Sequence, residues 1–280
     1  MTAEGNAERP SIGPDGSACG PLRLLALDTS THRVSVALQH GGASAPADGT
    51  GTGPADEWAG EGGAQASATL LPGIQGLLAR RGLALADLDA IVFGQGPGAF
   101  TGLRTATAVV QGLAYGVRSE RHPLGLPVLP IDTLLAVAEE ARHQHAHTGA
   151  LCVVSVLDAR MGEVYAAIDH FPDAQQPQAQ RLGGPWLLAP AQLPALVNAT
   201  LPPGAPCLLA SNALDLLPPL NRPHTACEAW PTAAALLRLA PALVAQGHTV
   251  TAAQAQPLYV RDKVAQTTSE RMAATEHRHG

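Results

Sequence analysis

The chain has 280 residues, a formal net charge of −6, and 46% hydrophobic but only 3% aromatic residues. It is therefore long enough for two lobes and must build its core from Ala, Leu, Val and Ile. The acidic balance and scattered arginines argue against an autonomous nucleic-acid-binding face. The single lysine, Lys263, stands far from any glycine-rich stretch, which excludes a G-x-x-x-x-G-K-[ST] phosphate loop.

Cys19, Cys152, Cys207 and Cys227 are widely spaced, with no C-x-x-C pair, and fit a reducing, cytoplasmic setting. Residues 1–20 are polar and bear Gly and Pro without an apolar h-region, so they read as a disordered tail rather than a signal peptide. No apolar run is long enough to predict a membrane span.

RLLALDTS (23–30) and RVSVALQH (33–40) flank a short polar turn and predict a β-hairpin, with Asp28, Thr29 and Ser30 closing its first strand. Gly41–Gly63 is rich in Gly, Ala, Asp and Thr and reads as a loop with room for one edge strand. In SATLLPGIQGLLARRG (67–82), Leu70, Leu71, Ile74, Leu77 and Leu78 recur at helical spacing, and Pro72 fits a first turn. LDAIVFG (88–94) is a buried strand, followed by a helix over TGLRTATAVVQGLAYG (101–116) with Thr101 as its cap. Further on, the pattern predicts a strand at 126–132, a helix at 132–144, and a second hairpin from LCVVSVLDAR (151–160) and EVYAAIDH (163–170). A loop is expected at 171–185, short helix and strand signals at 190–198 and 206–211, and an Ala/Leu helix at 232–246.

Two hairpins ending in LDTSTHR and LDARMGE, each leading into alternating strands and helices, predict an α/β fold with internal duplication. The expected division is an N-terminal lobe over 21–121 and a C-terminal lobe over 122–264, with the helix at 232–246 packing back on the first. Residues 265–280 read as a second disordered tail.

The junction GQGPGAFTGLR (94–104) has four glycines in eleven positions and allows three readings. As a relaxed G-x-G-x-x-A it would bind a dinucleotide, but it follows a hairpin and a helix instead of opening the fold, and Pro97 lacks a donor. As a phosphate cradle it would use the backbone at Gly96 and Gly98 and the helix start at Thr101, with Asp28 holding a metal's water shell. As a structural turn it would let a small-residue helix approach its neighbours closely.

LALDTSTHRVSVAL, GPGAFTGLR, LPVLPIDTL, VLDARMGEVYAA and PLYVRDKVA occur in this order between Leu22 and Ala265. Together they resemble the bacterial tRNA threonylcarbamoyladenosine biosynthesis family of TsaB, or YeaZ, type. The resemblance implies a two-lobed actin-like, Hsp70-like fold, a duplicated ribonuclease H-like unit with mixed sheets flanked by helices. It implies a non-catalytic subunit that binds and activates a TsaD-type catalytic paralogue in making N6-threonylcarbamoyladenosine at position 37 of tRNA. A TsaE-type P-loop ATPase would join them, and tRNA would be met only through the complex.

In this picture the chain has no catalytic residue, no metal site and no required cofactor, with room for residual ATP or ADP binding in the complex. The helices at 67–82 and 101–116 would form a bundle with the partner, through Leu70, Ile74, Leu77, Arg104, Ala108, Gly112 and Tyr115. The same helices could pair two copies when the chain is alone. The alternative is an autonomous nucleotide-hydrolysing enzyme that uses Asp28 and the 94–102 loop.

Other polar groups read more plainly. His143, His145 and His147 lack the glutamate of an H-E-x-x-H site and suit a solvated helix end. Asp28 and Asp158 suit hairpin-turn acceptors. Arg104 suits either a partner or an anion.

Overall fold

A computed structural model describes residues 11–12, 18–19, 22–40, 55–145 and 147–261. Most of the tail at 1–20, the stretch 41–54 and the tail at 265–280 lie outside the described residues. Near the N-terminus, β1 (Ser11–Ile12) pairs antiparallel with β2 (Ala18–Cys19).

The first large sheet contains β3 (Leu24–Asp28), β4 (Arg33–Gln39), β5 (Asp56–Glu61), β6 (Ala90–Gly96) and β7 (Val128–Asp132), in the order β5-β4-β3-β6-β7. The second contains β8 (Leu151–Arg160), β9 (Glu163–Phe171), β10 (Gln180–Leu188), β11 (Cys207–Ser211) and β12 (His224–Glu228), in the order β10-β9-β8-β11-β12. In each sheet the first three strands in sequence form an antiparallel meander, and the last two join in parallel. The duplication suggested by the two hairpins is thus present as one topology used twice.

Helices α1 (Ala66–Arg81) and α2 (Phe100–Gly116) cover one face of the first sheet, burying Leu70, Ile74, Leu77, Ala106 and Val110 against Leu25, Leu27, Val36, Ile91 and Phe93. Each such aliphatic side chain contributes roughly 1.5–3 kcal/mol when fully buried. The other face carries α5 (Ala233–Ala245), through Leu236, Leu239, Ala240 and Val244. On the second sheet, α3 (Thr133–Gln144) covers one face and α4 (Leu193–Thr200) the other.

Each crossing helix therefore serves the opposite lobe: α3 leaves the first sheet to cover the second, and α5 leaves the second to cover the first. Where they meet, the fully buried Glu139 binds Arg142 at 2.6 Å and Arg238 at 2.7 Å, and Arg238 also reaches Glu140 at 2.6 Å. Pairing and hydrogen bonding are what make such buried charge tolerable.

Local signals explain several boundaries. Asp132 caps α3 by accepting from Leu135 N–H at 3.0 Å, and Thr232 caps α5 by accepting from Ala235 N–H at 3.0 Å. Gly82, with φ +61°, ends α1 in the left-handed conformation that glycine adopts without a Cβ clash.

Three expectations are corrected, and one strand is present where the sequence pattern predicts none. Residues 180–188 form β10 instead of extending the loop at 171–185, and His224–Glu228 adds the edge strand β12. β7 pairs in parallel with β6, so the first sheet extends to Asp132, past the boundary expected at 121. The N-cap of α2 is Ala99, which offers no side-chain acceptor, and Thr101 lies inside the helix.

Candidate functional site

The glycine junction meets the β3–β4 turn backbone to backbone. Gly96, at φ +118°, donates its N–H to Thr133 Oγ1 at 3.0 Å, and Ala99 donates to the Ser30 carbonyl at 2.7 Å. The Thr29 hydroxyl donates to the Gly102 carbonyl at 2.7 Å. A Cβ on Gly98 would lie 2.5 Å from Ser30 O, and one on Gly102 would run into Thr29 O. Glycine is needed here because another backbone occupies the space a side chain would take.

Asp28 lies at the end of β3 and is 1% exposed. Its Oδ1 accepts from Ser30 N–H at 2.9 Å and from Ser30 Oγ at 2.7 Å, while Oδ2 is buried without a hydrogen-bond partner. Burial pushes its pKa up to about 6, against the opposing pull of the Ser30 hydrogen bonds. Asp158, at the matching place in the second hairpin, accepts from Arg160 N–H at 2.7 Å, and Asn212 Oδ1 accepts from Asp158 N–H at 3.1 Å.

Between the hairpins lies a cleft of about 220 Å³, lined by Ser30, His32, Gly98, Asp158, Arg160 and Trp230. A second hollow of about 230 Å³ adjoins it and shares Gly98, Ala99, Ala159, Arg160 and Tyr165 with it. At the junction Gly96 and Ala99 have spent their N–H donors on Thr133 and Ser30, Pro97 has none, and Asp28 turns inward onto Ser30. Among the described residues, no cluster of three or more His, Cys, Asp or Glu is arranged to hold a metal.

The second candidate site is the outward side of α1 and α2. Leu70, Ile74 and Leu77, expected at a partner surface, instead face the sheet and are at most 1% exposed. The outward side of α1 presents Ala68, Leu71, Gln75, Gly76 and Ala79. On α2, Thr101, Arg104, Ala108, Gly112 and Tyr115 are exposed as expected from their helical spacing. A Cβ on Gly76, Gly112 or Gly116 would meet nothing within 4 Å, so these glycines leave open surface rather than serve internal packing. Leu71, Tyr115 and, beyond the helix, Leu124 are 39%, 60% and 72% exposed.

Arg104 is held in place: its guanidinium lies 3.8 Å from the centre of the Phe100 ring, and its Nε donates to Tyr259 Oη at 3.1 Å. Sequence reasoning missed this contact, because Tyr259 lies 155 residues away and only the PLYVRDKVA string marked it.

Comparison with known proteins bears on both candidate sites. Residues 63–205, including both outward helices and the second hairpin, match the family model described as TsaD: tRNA N6-adenosine threonylcarbamoyltransferase. A tRNA threonylcarbamoyladenosine biosynthesis protein TsaB from Haemophilus influenzae is 42% identical over 146 residues, 51% of this chain and 52% of the relative, so that match spans about half of each. The Escherichia coli protein of the same name is 30% identical over 260 residues, 87% of this chain and 96% of its own length. This chain belongs to the TsaB family.

The solved structure of YeaZ from Pseudomonas aeruginosa, 34% identical, superposes with a TM-score of 0.65 over 85% of this chain and 99% of its own. A second Pseudomonas aeruginosa structure, described as similar to peptidase YEAZ, gives 35% identity and a TM-score of 0.67 over 86% and 100%. The TsaB-family fold is thus the two-lobed, actin-like arrangement expected, with its mixed sheets flanked by helices. Among the described residues, no helix is long and apolar enough to cross a membrane.

Proposed function

We infer that this TsaB-family chain is a non-catalytic subunit in the formation of N6-threonylcarbamoyladenosine on tRNA, and that it works by docking the outward side of α1 and α2 against a TsaD-type catalytic paralogue. The observation that carries this reading is the makeup of that surface. Open glycines at 76, 112 and 116 let a partner helix approach to backbone distance, and Leu71 and Tyr115 supply exposed apolar anchors. A TsaE-type ATPase joins the pair, tRNA is met only in the complex, and the setting is the cytoplasm. No cofactor is required of this chain, a reading supported by the Gly96 and Ala99 donors being spent within the chain; calorimetric titration with ATP and ADP, alone and in the complex, measures any residual binding. The same surface pairs two copies when the paralogue is absent.

The test is co-purification with the TsaD-type paralogue of the same organism, followed by light scattering of wild type and Gly112→Leu. A stable heterodimer that the substitution weakens supports the reading. A heterodimer indifferent to Gly112→Leu moves the contact elsewhere, and no association between two folded proteins overturns the proposal.

A further inference from the structure

After α5 the chain runs back over the first lobe. Val250 bridges to Val128, and Ala252 and Ala255 are buried beside α2, where the Ala255 carbonyl accepts from Gln111 Nε2 at 2.8 Å. The next residues cross the glycine junction. Leu258 N–H donates to the Gln95 carbonyl at 2.7 Å, and a Cβ on Gly96 would lie 2.6 Å from Leu258 O. The Tyr259 ring lies against Phe100 at 5.2 Å and its hydroxyl accepts from Arg104.

Two residues later the chain is on the other lobe. Arg261 donates to the Ala159 carbonyl at 3.0 Å and the Arg160 carbonyl at 3.4 Å, and pairs with Glu163 at 2.7 Å. That β8–β9 turn is under strain: Arg160 and Met161 have φ of 63° and 58°, left-handed values that side chains other than Gly, Asn and Asp adopt at a penalty. A charged donor on two carbonyls of the turn offsets that penalty.

We propose that Leu258–Arg261 is a latch that couples the two lobes, fixing the second-lobe turn against the glycine junction and the first turn of α2. In this two-lobed fold the chain supplies its own closure. Within four residues the segment touches both the glycine junction of the first lobe and the hairpin turn of the second, so loosening either end frees the other.

Hydrogen exchange on the full chain tests this, with each variant kept at a temperature where circular dichroism shows it folded. Arg261→Gln removes contacts made only with the second lobe. Its amides at 95–99, in the first lobe, are expected to exchange about tenfold faster, the equivalent of one lost charge-assisted hydrogen bond, while the central strands β3 and β8 stay as in wild type. Tyr259→Ala, which removes first-lobe contacts, should speed exchange at 160–163 across the cleft, and Arg261→Lys should restore part of the protection lost in Arg261→Gln. If each variant loosens only its own side, the latch is wrong. If Arg261→Gln does not fold at any temperature, Tyr259→Ala and Arg261→Lys carry the same cross-lobe comparison, and no effect across the cleft in either overturns it.

Discussion

Arg181 and Asp132 tie the second sheet to the first: Arg181 Nη2 lies 3.2 Å from Asp132 Oδ1, at the point where Asp132 also caps α3. On its other side, Arg181 Nε donates to Asp169 Oδ1 at 2.6 Å. Asp169 is fully buried, its second oxygen has no partner, and burial pushes its pKa up to about 6 although Arg181 pulls the other way.

Arg181→Met is therefore expected to destabilise the protein by about 2–3 kcal/mol at pH 7, because it leaves a buried carboxylate without its cation. The deficit should shrink towards pH 5, where Asp169 takes up a proton and needs no counter-charge. Urea denaturation of wild type and variant at both pH values measures this, and a deficit that stays constant with pH would contradict the role given to Asp169.

Asp28 titrates in the same range without a cation. Its folded pKa, about 6, exceeds the ordinary carboxylate value of 3.8, so between those values the folded state binds more protons than the unfolded one. Its contribution is most favourable below about pH 4 and is lost as pH rises through 6. Asp28→Asn keeps an acceptor for Ser30 and removes the charge. The variant should gain about 2–3 kcal/mol over wild type at pH 7 and little at pH 4, as read from denaturation midpoints.

Two glycines of one helix should respond oppositely to alanine. Gly102→Ala forces a methyl into the Thr29 carbonyl and should lower stability by about 1–3 kcal/mol. Gly112→Ala enters open space and should raise it by up to about 1 kcal/mol through helix propensity. Thermal melts of the two variants check the pair.

The two sides of α1 should separate folding from association. Leu70→Ala and Ile74→Ala open cavities under the sheet and should lower stability by about 2–5 kcal/mol each. Leu71→Arg, on the exposed side, should leave the melting temperature within a few degrees of wild type and weaken the heterodimer at least tenfold by light scattering or calorimetry.

Much of the fold is legible because apolar spacing is strong in its central elements. The two hairpins, α2 and α5 all follow from residues whose periodicity matches their burial. β10 escapes because Gly183, Gly184 and Pro185 interrupt it, and its pairing with β9 shifts register at those residues. β12 escapes because HTACE is short and mostly polar, as suits an edge strand. The lobe boundary slips because β7 is assigned by its pairing with β6, which no local pattern records.

The candidate site shows the same division. The apolar stripe Leu70, Ile74 and Leu77 identifies a buried side of α1 but does not say whether a sheet or a partner covers it. Apart from Leu71, the outward side presents Ala68, Gln75, Gly76 and Ala79, which hydrophobic periodicity cannot mark. The roles of Asp28 and the glycine junction depend on contacts with Ser30, Thr133 and Leu258, up to 163 positions apart in sequence.

The position of β5 bears on how copies of the chain meet. Among the described residues it ends the first sheet, forming the kind of border along which sheets readily join those of other molecules. Its sequence is DEWAGE, with Glu57 and Glu61 exposed, so two such borders brought together would set carboxylates against carboxylates. At the opposite border, Val250 already bridges to β7. Growth of the first sheet into a continuous ribbon is thus discouraged at both ends, and self-association is left to surfaces where side chains rather than backbones make the contact.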